Sequence, residues 1–171
     1  MSSQFEALKP TFRRLNPHMI RMYRWTFGAL PSCLPPITGT IMLLVHVGRK
    51  SGRRMLVPVN YAVIDGDVWC TTHESAQWLR NLRAHPETEV RLPLRRARHG
   101  VVEIEPAGPG NVDVLRRVLR NSGFAASAFG GVHPRRDSDE ALLAGCEGYV
   151  LLRIRRGERV RRRKPADAVV R

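Results

Sequence analysis

Aromatic side chains are scarce in this chain, and their scarcity argues against the reading its charge first suggests. Phe, Trp and Tyr make up 6% of 171 residues that carry a formal net charge of +14. A barrel that binds single-stranded nucleic acid stacks bases on aromatics interleaved with basic residues. Here Trp25, Trp69 and Trp78 stand apart from the basic clusters. Acid is short as well, with 15 Asp and Glu against 29 Lys and Arg. About half of the excess lies in one run, where Arg153, Arg155, Arg156, Arg159, Arg161, Arg162, Arg163 and Lys164 meet Glu158 alone. Blocks of like charge are commonly solvated, so we read 158–171 as a basic tail and expect no nucleic-acid partner.

Cysteine is too sparse for a disulfide framework. Cys33, Cys70 and Cys146 are odd in number, widely spaced and without a metal-ligand pattern, which points to reduced thiols and no metal site. Long apolar runs are missing too. The most apolar window, 26–47, is broken by Pro31, Pro35, Pro36 and Gly39 and falls short of the ~20 apolar residues of a spanning helix. The start, Met1-Ser2-Ser3-Gln4-Phe5-Glu6, has no basic stretch leading into an apolar one. The expectation is a cytoplasmic chain, in contact at most with the inner face of the cell membrane as a weak peripheral partner. Paired carboxylates, a Ser-His-Asp order and Cys/His clusters are also wanting, which leaves the hard chemistry to a cofactor.

What is present reads as one domain. Residues 1–16 form an arm, and Asn16-Pro17 is an N-cap with proline at the first helical position. The helix behind it sets Ile20, Tyr23, Phe27 and Leu30 on one stripe with Arg21 and Arg24 off it. Such a helix either packs across a barrel mouth or rests on lipid. Strand patterns follow at 40–47, 56–64, 68–72, 88–92, 100–105 and 149–154, with Asp65-Gly66-Asp67 as hairpin chemistry. Pro58 marks an edge or a bulge. Helical spacing appears at 74–84 and through Val112, Leu115, Val118, Leu119 and Ser122, with a further helical turn at 141–146. The architecture is α+β, a small barrel of about six strands with helices on its rim, over 17–157. Monomer and homodimer both remain open.

The chemistry concentrates in Gly48-Arg49-Lys50-Ser51-Gly52, a turn between two strands followed at once by Arg53 and Arg54. Glycines let backbone N–H groups approach an anion. A guanidinium fork matches two phosphate oxygens, and an ammonium and a hydroxyl complete the set. It is not a Walker loop, which spaces its glycines differently and runs into a helix.

Downstream come Pro58, the Asp65-Gly66 turn, and Trp78-x-x-Asn81-Leu82-x-Ala84-x-Pro86. In this order and spacing, the set resembles the deazaflavin-dependent nitroreductase and quinone reductase family, split β-barrels of the FMN-binding type that use coenzyme F420. The resemblance is good over roughly residues 40–105. It implies that Gly48, Arg49, Lys50, Ser51 and Gly52, with Arg54, hold the cofactor's phosphate and acidic tail. It further implies that Pro58 and Val59 lie against the deazaflavin, that Trp78 and Asn81 close the groove, and that Thr71, Thr72 and His73 line the substrate side. Met55 stands where the family carries an arginine, and the segment from His73 to Trp78 is shorter than usual. On this reading the chain moves a hydride from reduced F420 to an electrophilic small molecule such as a quinone, an enone or a nitro compound. A flavin mononucleotide barrel is the alternative, because one phosphate would satisfy much of the loop. His73 could supply the proton or be an ordinary loop histidine. Tyr61 could present its hydroxyl to ring or substrate, or be an ordinary half-buried strand tyrosine.

Overall fold

Asn16 and Pro17 open α1, a helix over 16–25 that buries Tyr23 and exposes Arg21 and Arg24 as its periodicity predicts; Phe27 and Leu30 lie outside the described residues. The computed structural model describes residues 16–26, 28, 39–123 and 131–156, so most of the N-terminal arm and the whole basic tail fall outside it. The apolar run that follows forms β1 (Ile41–Val47), buried on both faces except at its last residue. Then come β2 (Arg54–Ile64), β3 (Asp67–His73), α2 (Gln77–Ala84), β4 (Glu87–Arg91) and β5 (Arg98–Pro106). A short 3-10 turn (Pro109–Asn111), α3 (Val112–Arg120), α4 (Asp139–Gly145) and β6 (Tyr149–Arg156) complete the described chain. All six strands pair antiparallel and close a barrel in the order β1-β2-β3-β6-β5-β4. This is the split β-barrel expected from the sequence.

Strand alternation sorts the side chains between two cores. Met42, Leu44, Val57, Val68, Cys70, Val90, Val102, Val150 and Leu152 fill the interior, and Leu79 and Leu82 of α2 plug one mouth. Ala62, Ile64, Trp69 and Leu151 turn outward and are covered by Leu115 and Val118 of α3 and Leu142 of α4. Burial pushes the Cys70 thiol up to about 12 and the Cys146 thiol up to about 11, and both cysteines are free.

Two helix starts differ from the periodicity. Residues 74–75 make a turn, and α2 begins at Gln77, because Ser75 N–H is engaged by His73 Nδ1 and Ala76 N–H by His73 O. The last helix starts earlier than its apolar residues suggest, since Ser138 caps it by accepting from Ala141 N–H at 3.2 Å.

The β2–β3 ladder matters most for function. It joins Tyr61–Ile64 to residues 67–70 and no further. Residues 54–60 of β2 pair only with β1, and Thr71, Thr72 and His73 pair only with β6. Two strand edges therefore part at one end of the barrel. Pro58 lies in this stretch, opposite Leu43 of β1, on an edge that tolerates its missing N–H.

Candidate active site

Antiparallel pairing gathers the expected residues at the end where the strands part. The turn 48–52 joins the end of β1 to the start of β2, and that start lies beside the end of β3. His73 ends β3 opposite Tyr149, the first residue of β6, and three residues separate it from α2.

The turn is closed from within: Gly48 N–H donates to Arg53 O at 2.9 Å and Gly52 N–H to Gly48 O at 2.8 Å. Gly52 has φ 63°, the left-handed region that favours glycine, while a Cβ on Gly48 would fall 2.6 Å from Ser51 Oγ and displace that side chain. Arg49 is anchored to α2. Its backbone N–H and its Nη1 each donate to Asn81 Oδ1 at 3.3 Å. The Gln77 amide, turned so that donors meet acceptors, accepts from Nη1 at 2.6 Å and from Nη2 at 3.2 Å. With its oxygen engaged, Asn81 donates through Nδ2 to Nδ1 of buried His46 at 3.3 Å, which leaves the His46 proton on Nε2. Burial holds His46 below the ordinary value of 6.5 and so favours this neutral acceptor.

Neutral oxygens thus fix the guanidinium and leave its charge intact. Among the described residues Arg49, Lys50 and Arg53 pair with no carboxylate, and all three are exposed. The Lys50 and Ser51 N–H groups take no part in closing the turn. A preset guanidinium, an ammonium, a hydroxyl and the two backbone N–H groups not used by the turn are donors of the kind that a phosphate ester takes up. The residues present fit such a group.

The other expected residues divide by face. If the β2–β3 ladder continued past Tyr61 and Cys70, Asn60, Val59 and Pro58 would meet Thr71, Thr72 and His73 in turn. Val59 and Pro58 therefore flank the parting across from Thr72 and His73. Val59 and Trp78 pack on the interior core, and Thr72 is buried. Thr71 Oγ1 donates to Val150 O at 2.9 Å.

Tyr61 and His73 do not converge. Tyr61 packs on the interior core opposite Cys70, while His73, three positions beyond Cys70, faces outward roughly 10 Å farther along the strand. His73 Nδ1 accepts from Ser75 N–H at 3.1 Å and lies 2.8 Å from Ser75 Oγ, so its proton also sits on Nε2. The His73 ring stands edge-on to Tyr149, with centroids 5.6 Å apart. Desolvation raises the Tyr61 phenol above its ordinary value of 10.0, against the opposing pull of Arg95 and Arg98.

Arg54, the remaining expected contact, engages Glu89 of β4 at 2.6 Å, and Arg91 holds the same carboxylate at 2.7 Å. Burial opposes ionisation of Glu89, but these hydrogen bonds and charges outweigh it and hold the carboxyl below its ordinary value. Met55, next along β2, pairs with His46 and so faces the loop side; its Cε would lie 2.9 Å from a Cβ on Gly48. Gln77 and the His46 contact were missed in the sequence. The available signals were the i, i+4 spacing of Gln77 and Asn81 and one histidine in an otherwise apolar strand ahead of the loop.

Among the described residues no cluster of three or more His, Cys, Asp or Glu could hold a metal ion, and no helix is long and apolar enough to cross a membrane. In comparisons with solved structures, a conserved hypothetical protein from Mycobacterium tuberculosis is 24% identical, with 75% of this chain and 76% of that one covered and a TM-score of 0.49. An F420 reductase is 21% identical over 72% of this chain and 91% of its own, with a TM-score of 0.48. A putative pyridoxamine 5'-phosphate oxidase from Listeria innocua is 10% identical over 70% and 85%, also with a TM-score of 0.48. No curated protein matches the chain. The family model for F420H(2)-dependent quinone reductase matches residues 16–121, from α1 through the loop, the parted strands and α2 to the end of α3. The chain belongs to the F420H(2)-dependent quinone reductase family, as an oxidoreductase of small molecules whose cofactor is coenzyme F420.

Proposed function

We propose that this oxidoreductase passes a hydride from reduced F420 to an electrophilic organic acceptor of the quinone, enone or nitro class. The observation that supports it is the Arg49 clamp, a cation preset by Asn81 and Gln77 beside the parted strands. Reduced deazaflavin supplies two electrons as a hydride, a reaction that needs no metal.

The chain's own work is to hold, orient and dry the reactants. Gly48, Arg49, Lys50, Ser51 and Gly52 hold the phosphate and the acidic tail at the loop. Pro58 and Val59 on one edge, with Thr71 and Thr72 on the other, bound the slot for the ring. Trp78 shields it from the α2 side. His73, neutral with its proton on Nε2, donates a hydrogen bond to the acceptor on the outward face, and the proton that completes the reduction comes from solvent or from His73 once it is charged as imidazolium. Tyr61 faces the interior and stays protonated, which makes it a hydroxyl donor and not a second acid for the same acceptor.

The test sets F420, flavin mononucleotide and single-stranded DNA side by side in fluorescence titrations, then measures menadione turnover with reduced F420 in the presence of a chelator. Saturable binding of F420 in preference to the other two, with turnover that survives the chelator, is expected. Tight F420 binding with no reduction across a panel of quinones, enones and nitro compounds would replace the enzyme reading with a carrier.

A further inference from the structure

The clamp on Arg49 has an inner end. Asn81 Oδ1 accepts from Arg49 N–H and Nη1, each at 3.3 Å, and Asn81 Nδ2 lies 3.3 Å from Nδ1 of His46. His46 is 4% exposed and lies on the interior side of β1, in step with Met42 and Leu44. An amide carries its acceptor and its donors on different atoms, so the atom that Asn81 shows to Arg49 is set by the atom that His46 requires. Unprotonated Nδ1 requires a donor, and this turns the oxygen of Asn81 toward Arg49.

Protonation of His46 reverses the requirement. Both ring nitrogens of an imidazolium are donors, so Nδ1–H would meet the Nδ2 donors of Asn81. If the amide turns over, its oxygen serves His46 and its NH2 meets the N–H and guanidinium of Arg49, donor against donor. If it stays, two donors face each other in a buried place, which costs free energy. The charged form of His46 and the pinned form of Arg49 therefore oppose one another. Other charges stand apart from His46. Met55 pairs with it from β2, and Arg54 there is turned to Glu89. On β4, Glu89 pairs with Val45 on the outward face, and Glu87 is exposed. Arg80 and Arg83 of α2 and Lys50 of the loop are exposed as well. Arg49 is the cation that hydrogen bonds connect to it. Burial holds His46 below the ordinary value of 6.5, so the neutral acceptor is the form present at neutral pH.

We propose that His46 is a positioning residue for the cofactor's phosphate: neutral, it orients Asn81 to pin Arg49, and protonated, it releases Arg49 and weakens cofactor binding. The inference rests on the reading that the loop 48–52 holds that phosphate. Gln77 still holds the guanidinium after release, so the loss is the ordering of one partly freed side chain. F420 affinity should fall about two- to twelvefold as His46 becomes charged. Coupling is reciprocal. Bound F420 should therefore lower the pH at which His46 takes up its proton, by about 0.3 to 1 pH unit.

Two measurements on the full chain test it. Calorimetry gives F420 affinity between about pH 8 and about pH 4.5 for the parent and for His46→Gln, whose amide oxygen accepts without titrating. The cofactor's own titration is common to both proteins, so the ratio of the two affinities isolates His46. That ratio should be constant above the ordinary histidine value and move about two- to twelvefold against the parent below it. Proton–nitrogen correlation spectra of the parent's histidine rings follow His46 directly. They should show its proton on Nε2 at neutral pH and a protonation midpoint that drops when F420 is added. A flat ratio, or a midpoint that F420 leaves unmoved or raises, would overturn the proposal. Arg49→Ala separates this failure from that of the loop reading. If it weakens F420 binding at least about tenfold, the loop holds the phosphate and the role of His46 alone is refuted by such a result. If Arg49→Ala binds F420 as the parent does, the loop reading falls and this inference falls with it.

Discussion

Asn81 offers a decisive test of how the loop works, because family resemblance makes it a direct cofactor contact while its bonds make it a support for Arg49. Asn81→Leu keeps the approximate shape and removes the oxygen that accepts from Arg49 N–H and Nη1. Gln77 still holds the guanidinium, so the cost to binding is the ordering of one partly released side chain, ~0.5–1.5 kcal/mol. Affinity for F420 should then fall about two- to twelvefold. Arg49→Ala removes a charge-assisted phosphate contact worth ~1.5–3 kcal/mol, or about ten- to 150-fold. The informative protein is the double variant. If Asn81 acts through Arg49, the double variant binds like Arg49→Ala alone, because nothing remains for Asn81 to position. Fluorescence titration of all four proteins at one salt concentration measures the cycle. The variant also leaves buried His46 Nδ1 without its donor, an expected loss of ~1–3 kcal/mol in stability, so each protein needs a denaturation curve. Additive losses, with Asn81→Leu costing as much without Arg49 as with it, would refute the support role and restore the direct contact.

Three further outcomes follow from the same geometry. Arg49→Ala with Lys50→Ala should weaken F420 binding by about two to four orders of magnitude, at ~1.5–3 kcal/mol for each charge-assisted contact, and leave the denaturation midpoint nearly unchanged, since both side chains are exposed. Arg54→Ala should change F420 affinity by less than about threefold, since Arg54 is turned to buried Glu89 on the face away from the loop and Arg91 still holds that carboxylate; Met55→Arg should tighten binding, because position 55 faces the loop side. Acid should destabilise the protein through His46: its folded value lies below the ordinary 6.5, so the unfolded chain takes up the proton first, and stability present above that pH is lost as the pH falls below it. His46→Gln keeps an acceptor for Asn81 without titrating, and identical stability slopes below pH 6.5 for parent and variant would refute that assignment.

The barrel was legible because its strands carry period-2 alternation or unbroken apolar runs, and such patterns are written locally. Pro58 shows how far this goes: one residue announced an edge, and the structure places it where β2 has lost β3 as a neighbour. Helix starts were less legible. Glu74 fits a first helical turn by composition, yet the His73 ring takes the Ser75 N–H, and that competition depends on a side-chain conformation no periodicity records. Ser138 escaped notice for the opposite reason, as a cap lies outside the apolar spacing used to find the helix.

The site was legible in its donors and illegible in its supports. Glycines, cations and a hydroxyl within five residues declare an anion loop, because the chemistry needs them close together. Whether Arg49 is pinned or free depends on Gln77, Asn81 and His46, which approach it only after β1, the turn and α2 have packed. The separation of Tyr61 from His73 was hidden on the same ground. Both sit on strands near the expected groove, but the alternation places them on opposite faces, and a register is needed before faces can be compared between strands. Arg54 and Met55 make the converse case. The alternation that aims Arg54 at Glu89 aims Met55 at the loop, so replacing the family arginine by methionine removes a cation from the one face where its neighbour cannot substitute for it. On the proposed function, anion binding then rests on Arg49 and Lys50, and the neutral amides that preset Arg49 gain importance in proportion.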